Sequence, residues 1–418
     1  MFTFIHCADL HLDSPLRGLS KREDAPVDEI RLATRRALTN LVNLCIEKSV
    51  DFLVIAGDVY DGDWQDYSTG LFFNREMARL RKHNIPVYLI RGNHDAASNI
   101  TKQLQLPDNV YEFSVDHPET VTIEELKVAL HGQGYKERDI WTNLAITYPE
   151  PRAGYFNIGI LHTSLEGKEG HEKYAPVRLD ELIQKGYDYW ALGHIHKREV
   201  IHEKPYIVFP GNIQGRHVRE TGNKGCTLVK VDGKNVTLEH RDLDVLRWYV
   251  CTVDVTDVDS DQEMVALVEK QISDIVSINP GYPLALRVEL IGNTSLHHSF
   301  LEEPERYRNE IVNAANMASS HVWIEKVKFL TELPYEMVDA EDRKDALSLL
   351  MKSIDSAQED EEFLNEFLTH VKYIQHRFGN YMKRDDALQF EDEKDVAALM
   401  KEGRDLLVGL LTKGGKLD

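Results

Sequence analysis

Phe52-Leu53-Val54-Ile55-Ala56-Gly57-Asp58-Val59-Tyr60-Asp61 is the stretch on which the fold turns. Five apolar residues, rich in β-branching and cut off by glycine, read as a buried strand, and the aspartates after them sit in the loop at its end. The pattern recurs along the chain. Phe2–Cys7 is a short apolar strand leading into Asp9-Leu10-His11, and Pro86–Ile90 leads into Gly92-Asn93-His94-Asp95. Asn157–Leu161 ends at His162, and Asp188–Leu192 ends at Gly193-His194-Ile195-His196. Asp-x-His alone arises by chance about once in a chain this long, but five ligand-bearing blocks in order, each after an apolar run, do not. Carboxylates, imidazoles and one amide delivered from successive strand ends are what a two-metal hydrolytic site needs, so the chain reads as an enzyme.

Working outward, helices fill the gaps between the first strands. Glu29–Lys48 carries Leu32, Leu38, Leu41, Val42 and Cys45 at helical spacing, and Gly70–His83 follows the second strand. Strands alternating with helices imply parallel βαβ units and an α/β class. After Asn109 come shorter strands at Leu126–Leu130, Tyr206–Phe209, Cys226–Val231 and Val236–Glu239, the last two joined by an Asp232-Gly233 turn. One sheet cannot hold so many strands compactly, which predicts a two-sheet sandwich with helices outside. Composition changes near Arg247. Strands at Trp248–Val255, Pro283–Ile291 and His321–Leu330, with helices at Asp261–Ile275 and about Glu303–Met317, predict a small α+β domain. From about Val338 only helical spacing remains, in Phe363–Ile374 and Val396–Leu411. The expected domains are residues 1–245, 246–334 and 335–418.

The 418 residues are 42% hydrophobic, enough for two or three domains with a substantial core. No apolar run is long enough to span a membrane, and the first residues run straight into Asp9, which leaves no room for a signal peptide. Four scattered cysteines without Cys-x-x-Cys read as reduced, buried thiols of a cytoplasmic protein. A net charge of −21 argues against a broadly basic nucleic-acid surface. It does not exclude nuclease work, because metal ions can supply the cationic pole. From Thr331 to Asp418 there are 21 acidic and 12 basic residues, so −9 of the −21 lies in the last fifth.

The ordered set Asp-x-His, Gly-Asp-x-x-Asp, Gly-Asn-His-Asp, His, Gly-His-x-His resembles the calcineurin-like metallophosphoesterase superfamily. The opening Phe4–Pro15 and the segment Pro210-Gly211-Asn212-Ile213-Gln214-Gly215-Arg216-His217 resemble its YhaO branch, which is similar to SbcD and to the nuclease subunit of the Mre–Rad DNA-repair complex. The resemblance is strong over residues 1–245. It implies a four-layer metallophosphoesterase β-sandwich flanked by helices, then the small α+β domain and the C-terminal helical segment. It also implies that Asp9, His11, Asp58 and His196 bind one metal and that Asp58, Asn93, His162 and His194 bind the other. A bridging carboxylate belongs in the middle of the ligand set, which also favours Asp58. His94, next to a ligand, is placed to protonate the leaving oxygen with Asp95 orienting it. Mixed N/O shells suit manganese, iron or zinc better than magnesium, and the resembling nucleases make manganese the first choice.

Other residues remain open at this level. Asp61 either supports the site or caps a helix. Arg216, His217 and Arg219 hold phosphate or belong to a solvated hairpin loop, His131 lines the cleft or is structural, and Tyr60 and Trp64 stack a base or pack over the loop. His6 and Cys7 belong to the core. The expected activity is a DNA phosphodiesterase, an exonuclease with endonuclease capacity in DNA repair. The alternative is a phosphomonoesterase or nucleotide phosphodiesterase of the same superfamily. Phosphatases of the superfamily carry Gly-Asp-x-x-Asp-Arg-Gly and Gly-Asn-His-Glu, and this chain departs at Gly62-Asp63 and at Asp95. A scaffold with a silent site fits poorly, since every expected ligand is present. By resemblance the partners are DNA and an SMC-like ABC ATPase gripped by the C-terminal helices, with room for a homodimer. The competing reading of those helices is that their apolar faces pack on each other and on the second domain as a small bundle.

Overall fold

The computed structural model describes residues 1–14, 32–61, 67–97, 105–165 and 174–333, parts of 352–378, and positions 396, 399, 400 and 403. Two six-stranded sheets make the larger part. The first has the order β12 (Asn235–Asp242), β11 (Gly225–Asp232), β1 (Phe2–Cys7), β2 (Phe52–Ala56), β3 (Val87–Ile90), β4 (Val110–Glu112). The second has the order β5 (Glu119–Ile123), β6 (Val128–Gly132), β7 (Phe156–His162), β8 (Tyr189–Gly193), β10 (Tyr206–Phe209), β9 (Glu199–Glu203). β1 through β4 run parallel, as do β6, β7, β8 and β10, with antiparallel strands at the margins.

Strand alternation sorts the side chains into layers. Phe2 and Phe4 of β1 and Phe52, Val54 and Ala56 of β2 face Ile158, Ile160, Tyr189 and Val208 of the other sheet in a common buried core. Phe4 stacks on Phe52 at 4.9 Å and meets Tyr189 edge-on at 5.3 Å. The intervening residues Ile5, Leu53 and Ile55 bury against α1 (Ala33–Lys48) and α2 (Tyr67–Lys82) through Leu38, Leu41, Phe73 and Met77. On the far side, Trp190, Leu192 and Ile207 pack under α4 (Leu179–Gln184) through Leu182. The result is the four-layer α/β sandwich expected from the sequence. His6 lies in the inter-sheet core, fully buried, with Nδ1 3.0 Å from the Tyr189 hydroxyl and Nε2 3.1 Å from the Leu192 carbonyl oxygen.

The sequence pattern passed over β4, β5 and β9, and the physical reason is their position. All three are edge strands, half-covered and carrying Glu112, Glu119, Glu199 and Glu203, so none shows an apolar run. The one-turn helix α3 (Asn93–Ala97) was also missed, being too short for a period.

The chain divides into two compact units, the second comprising Cys251–Ile278, Val288–Ser320 and Lys326–Asp418. A third sheet has the order β13 (Arg247–Asp254), β14 (Leu284–Asn293), β15 (Val322–Glu332). Within the second unit, α5 (Asp261–Ser277) buries Met264, Val268 and Ile272, α6 (His297–Glu302) buries Phe300, and α7 (Pro304–Ala318) buries Tyr307, Ile311 and Ala315. Ser260 caps α5 by accepting the Glu263 N–H. In α8 (Glu361–Phe378), Leu364 and Leu368 are buried with Val396, and Phe367 and Met400 pack beside them. The described parts of the two C-terminal stripes therefore touch each other. Most of 379–418 lies outside the described residues.

Candidate metal centre

All the expected ligands come from the C-terminal ends of parallel strands, the usual site position in such sheets. Asp9 and His11 follow β1, Asp58 follows β2 and Asn93 opens α3 after β3. His162 ends β7, and His194 and His196 follow β8. Asp9, His11 and Asp58 have left-handed backbones (φ 52°, 42° and 53°), a conformation that strains non-glycine residues and persists only where surroundings enforce it. Here the enforcement is a ladder: the N–H groups of Asp9, His11 and Leu12 donate to the carbonyls of Gly57, Asp58 and Val59. Arg35 adds a bidentate pair to Asp13 at 2.7 and 2.5 Å, pinning the first loop to α1. The motif glycines serve close approach. A Cβ on Gly92 would lie 2.2 Å from Asp58 Oδ1, and one on Gly193 would lie 1.9 Å from the Ala56 carbonyl oxygen.

Three triplets of potential donor atoms converge within 4.8 Å: Asp9, His11 and His196; His11, Asp58 and His94; Asp9, Asp58 and His162. The lone pairs in this cluster face one another. His162 Nδ1 donates to the Ala56 carbonyl at 2.9 Å, so Nε2 of the neutral ring is an acceptor, yet it lies 2.9 Å from Asn93 Oδ1 and 3.4 Å from Asp58 Oδ2. His196 Nδ1 lies 2.7 Å from Glu220, and His11 Nδ1 lies 3.5 Å from Asp61. These contacts turn the two Nε2 atoms toward each other at 3.1 Å. Two nitrogen or oxygen atoms facing each other in a buried space need either a proton or a metal cation between them. A proton fills that role at His162, where burial pushes the pKa down but Asp58 and Asp9 prevail and raise it to about 9. His11, buried and near Arg216, is pushed the other way, to about 3. A divalent ion would satisfy the whole set at once, and the N/O donors fit one. Asp58, next to His162 and His11, is held well below the ordinary carboxylate range despite its burial.

The carboxylates are braced by N–H groups. Asp9 accepts from the His194 N–H at 3.0 and 3.2 Å, and Asp58 accepts from the His94 N–H at 2.9 Å. His194 lies outside the three triplets among the described residues, its ring centroid 5.3 Å from that of His162.

One expected contact is corrected. Asp95 does not orient His94. It is buried and accepts from the N–H groups of Gly92, Tyr60 and Val59, which ties the second and third loops together. Burial and the nearby Asp58 raise its pKa to about 7 against those three donors. Adjacent residues on one helical turn diverge, and the ring of His94 instead finds Asp61, with Nδ1 3.2 Å from Oδ1. Asp61 and Asp58 raise the His94 pKa although burial opposes them. His94 also stays close to His11 and Asp58, so it lines the same cluster rather than standing off from it.

Glu220 carried no signal in the sequence beyond being one acid in a polar loop. Only 6% exposed, it accepts from Asn212 Nδ2, the Arg216 N–H and Arg216 Nη2, and fixes His196. Arg216 reaches over it to within 3.7 Å of Asp61, and His217 sits half-exposed 3.6 Å from it. Asn212, Arg216 and His217 are therefore anchored through Glu220 beside the cluster, whereas Arg219 of the same loop is exposed. His131 is structural, bonded to Thr120 and Asn157 and stacked on Tyr187. Tyr60 is buried against Phe73, and Trp64 lies outside the described residues.

Fold and site together define a metal-dependent phosphoester hydrolase. Residues 2–198 match the family described as calcineurin-like phosphoesterase, and residues 248–332 match the one described as metallophosphoesterase YhaO, middle domain. The chain is 36% identical over 316 residues to uncharacterized metallophosphoesterase YhaO of Bacillus subtilis, covering 75% of this chain and 76% of that protein. It is 25% identical over 284 residues to DNA double-strand break repair protein Mre11 of Sulfurisphaera tokodaii (61% and 66%). To the protein of the same name in Methanopyrus kandleri it is 28% identical over 227 residues (50% and 48%). The chain belongs to the calcineurin-like metallophosphoesterases, in the YhaO-type form that carries the middle domain. Among the described residues no helix is long and apolar enough to cross a membrane, and all four cysteines are free and buried.

Proposed function

We propose that this chain is a metal-dependent DNA phosphodiesterase, an exonuclease with endonuclease capacity, acting in cytoplasmic DNA repair beside an SMC-like ABC ATPase. The observation that carries the reading is the His94–Asp61 pair set on a bed of converging N and O donors. Asp9, His11, Asp58 and His196 would hold one divalent ion, and Asp58, Asn93, His162 and His194 the other, with manganese preferred over iron or zinc. Two such ions supply an activated water at neutral pH and polarise the phosphate. His94 then has the remaining task. Asp61 holds Nδ1 and favours the protonated ring, so Nε2 can give a proton to the leaving oxygen. Arg216, its guanidinium fixed by Glu220, offers a planar cation to a non-bridging phosphate oxygen, and His217 offers a second contact further out.

DNA is favoured over a small phosphomonoester by the relatives named Mre11 and by the chain's extent, since the middle domain and the C-terminal segment lie beyond the hydrolytic domain. The ATPase would be met by the acidic C-terminal segment, whose Phe363 and Tyr373 stay exposed while Leu364 and Leu368 are covered. The experiment is a panel of labelled hairpins, linear duplexes and single strands beside mononucleotide esters, with Mn, Mg, Fe and Zn compared. Cleavage confined to the monoesters would overturn the reading. Removing the chain after Leu333 should abolish co-purification with the ATPase while leaving hydrolysis intact.

A further inference from the structure

We propose that Trp141 is a stacking platform for a nucleobase of the strand held at the metal centre, an inference that rests on the nuclease reading above. Trp190 and Trp248 are fully buried, whereas Trp141 stands 66% exposed. Its ring is nevertheless supported. It stacks on Tyr174 with centroids 6.2 Å apart and planes 21° from parallel. Tyr174 is itself buried, and its ring meets His194 edge-on at 5.3 Å. The indole therefore stands two rings away from an imidazole of the site.

The support is fixed to the catalytic elements through the backbone. The Ser164 N–H donates to the Tyr174 carbonyl at 2.9 Å and the Tyr174 N–H donates to Ser164 Oγ at 3.1 Å, two residues beyond His162. The Ala175 N–H donates to the carbonyl of Ile140, the residue before Trp141. Ile140 and Tyr174 share an apolar cluster with Ala96, which lies on the short helix that carries His94. An indole supported from beneath by a buried tyrosine cannot collapse onto the protein, and it presents a flat apolar face of nucleobase size to solvent. A phosphodiester gripped beside His194 brings a neighbouring base within reach of that face. Every base has a π-face, so such a platform adds affinity without sequence preference.

The test uses the full chain loaded with manganese and two single-stranded oligonucleotides, identical except that one lacks the base beside the scissile phosphate. The wild type is expected to show a KM lower by about 5- to 150-fold for the base-bearing strand, the span that single stacking contacts cover. Trp141→Ala should bring the two KM values together by raising that of the base-bearing strand, with kcat and bound metal unchanged. Trp141→Leu keeps apolar cover on Tyr174 without an aromatic face and should do the same; Trp141→Phe should restore part of the difference. A wild type indifferent to the missing base overturns the proposal. So does a Trp141→Leu variant that keeps the difference or weakens both substrates equally, since the indole then only supports Tyr174 and His194. A wild type that cuts neither strand overturns the nuclease reading itself and is distinguished by that result.

Discussion

The first sheet and the second meet at the candidate metal centre with different atoms. From the ends of β1, β2 and β3 come Asp9, Asp58 and the Asn93 amide with one imidazole, His11, whereas β7 and β8 end only in imidazoles, His162, His194 and His196. Their supports are complementary. An oxygen ligand needs a donor behind it, and Asp9 takes its N–H from His194 of the second sheet. An imidazole needs an acceptor behind it, and His162 gives its proton to Ala56 of the first. Asp9 and His162 are thus each oriented by the opposite sheet, whereas Asp58 takes its N–H from His94 of its own, so the full arrangement needs the two sheets correctly stacked. The rim differs again: His94, Asp61, Arg216 and Glu220 are held by side chains.

The sharpest way to break this arrangement is Asp58→Ala. The variant should lose both metals and essentially all hydrolysis, read by elemental analysis beside turnover. One ion retained at full occupancy would mean that Asp58 does not bridge. His94→Ala should keep two metals and slow turnover by roughly 10²- to 10⁴-fold. Loss of metal there would make His94 a ligand, which its closeness to His11 and Asp58 makes a real alternative to test.

The rim comes next. Glu220→Gln removes the charge behind His196, and outer partners of metal-bound histidines are typically worth about 10- to 100-fold in metal affinity. Weakened binding of one ion, measured by competition with a chelator, is the expected result; unchanged affinity would reduce Glu220 to a loop anchor.

The smallest effect concerns the inter-sheet core. Burial lowers His6 to about 3, although its contact with the Leu192 carbonyl works the other way. Its folded pKa lies below the unfolded value of about 6.5, so the unfolded chain binds the proton more readily. The contribution of His6 is complete above pH 6.5 and is lost as the pH falls toward 3, by up to about 5 kcal/mol. Denaturant titrations of chelated protein at stepped pH should show a shallower acid limb for His6→Gln than for wild type. Identical limbs would assign acid unfolding to the carboxylates alone.

Sequence by itself determined the strands with buried runs, the order of the ligand blocks and the family, because an apolar run stopped by Gly-Asp, Gly-Asn or Gly-His leaves a local mark. It could not show β4, β5 or β9, whose edge positions free them from the need to be apolar, nor how the C-terminal stripes are covered. Within the site it assigned Asp95 to His94 because the two are neighbours in the chain. The tertiary structure gave that place to Asp61 and turned Asp95 onto the backbone of the adjoining loops. Glu220 behind His196 and the Tyr174–Trp141 stack beside His194 lie at distances along the chain that no motif spans. Ligand identity depends on residue type and strand register, which are local, whereas the partner that orients each ligand is chosen by the packing of two sheets and their loops.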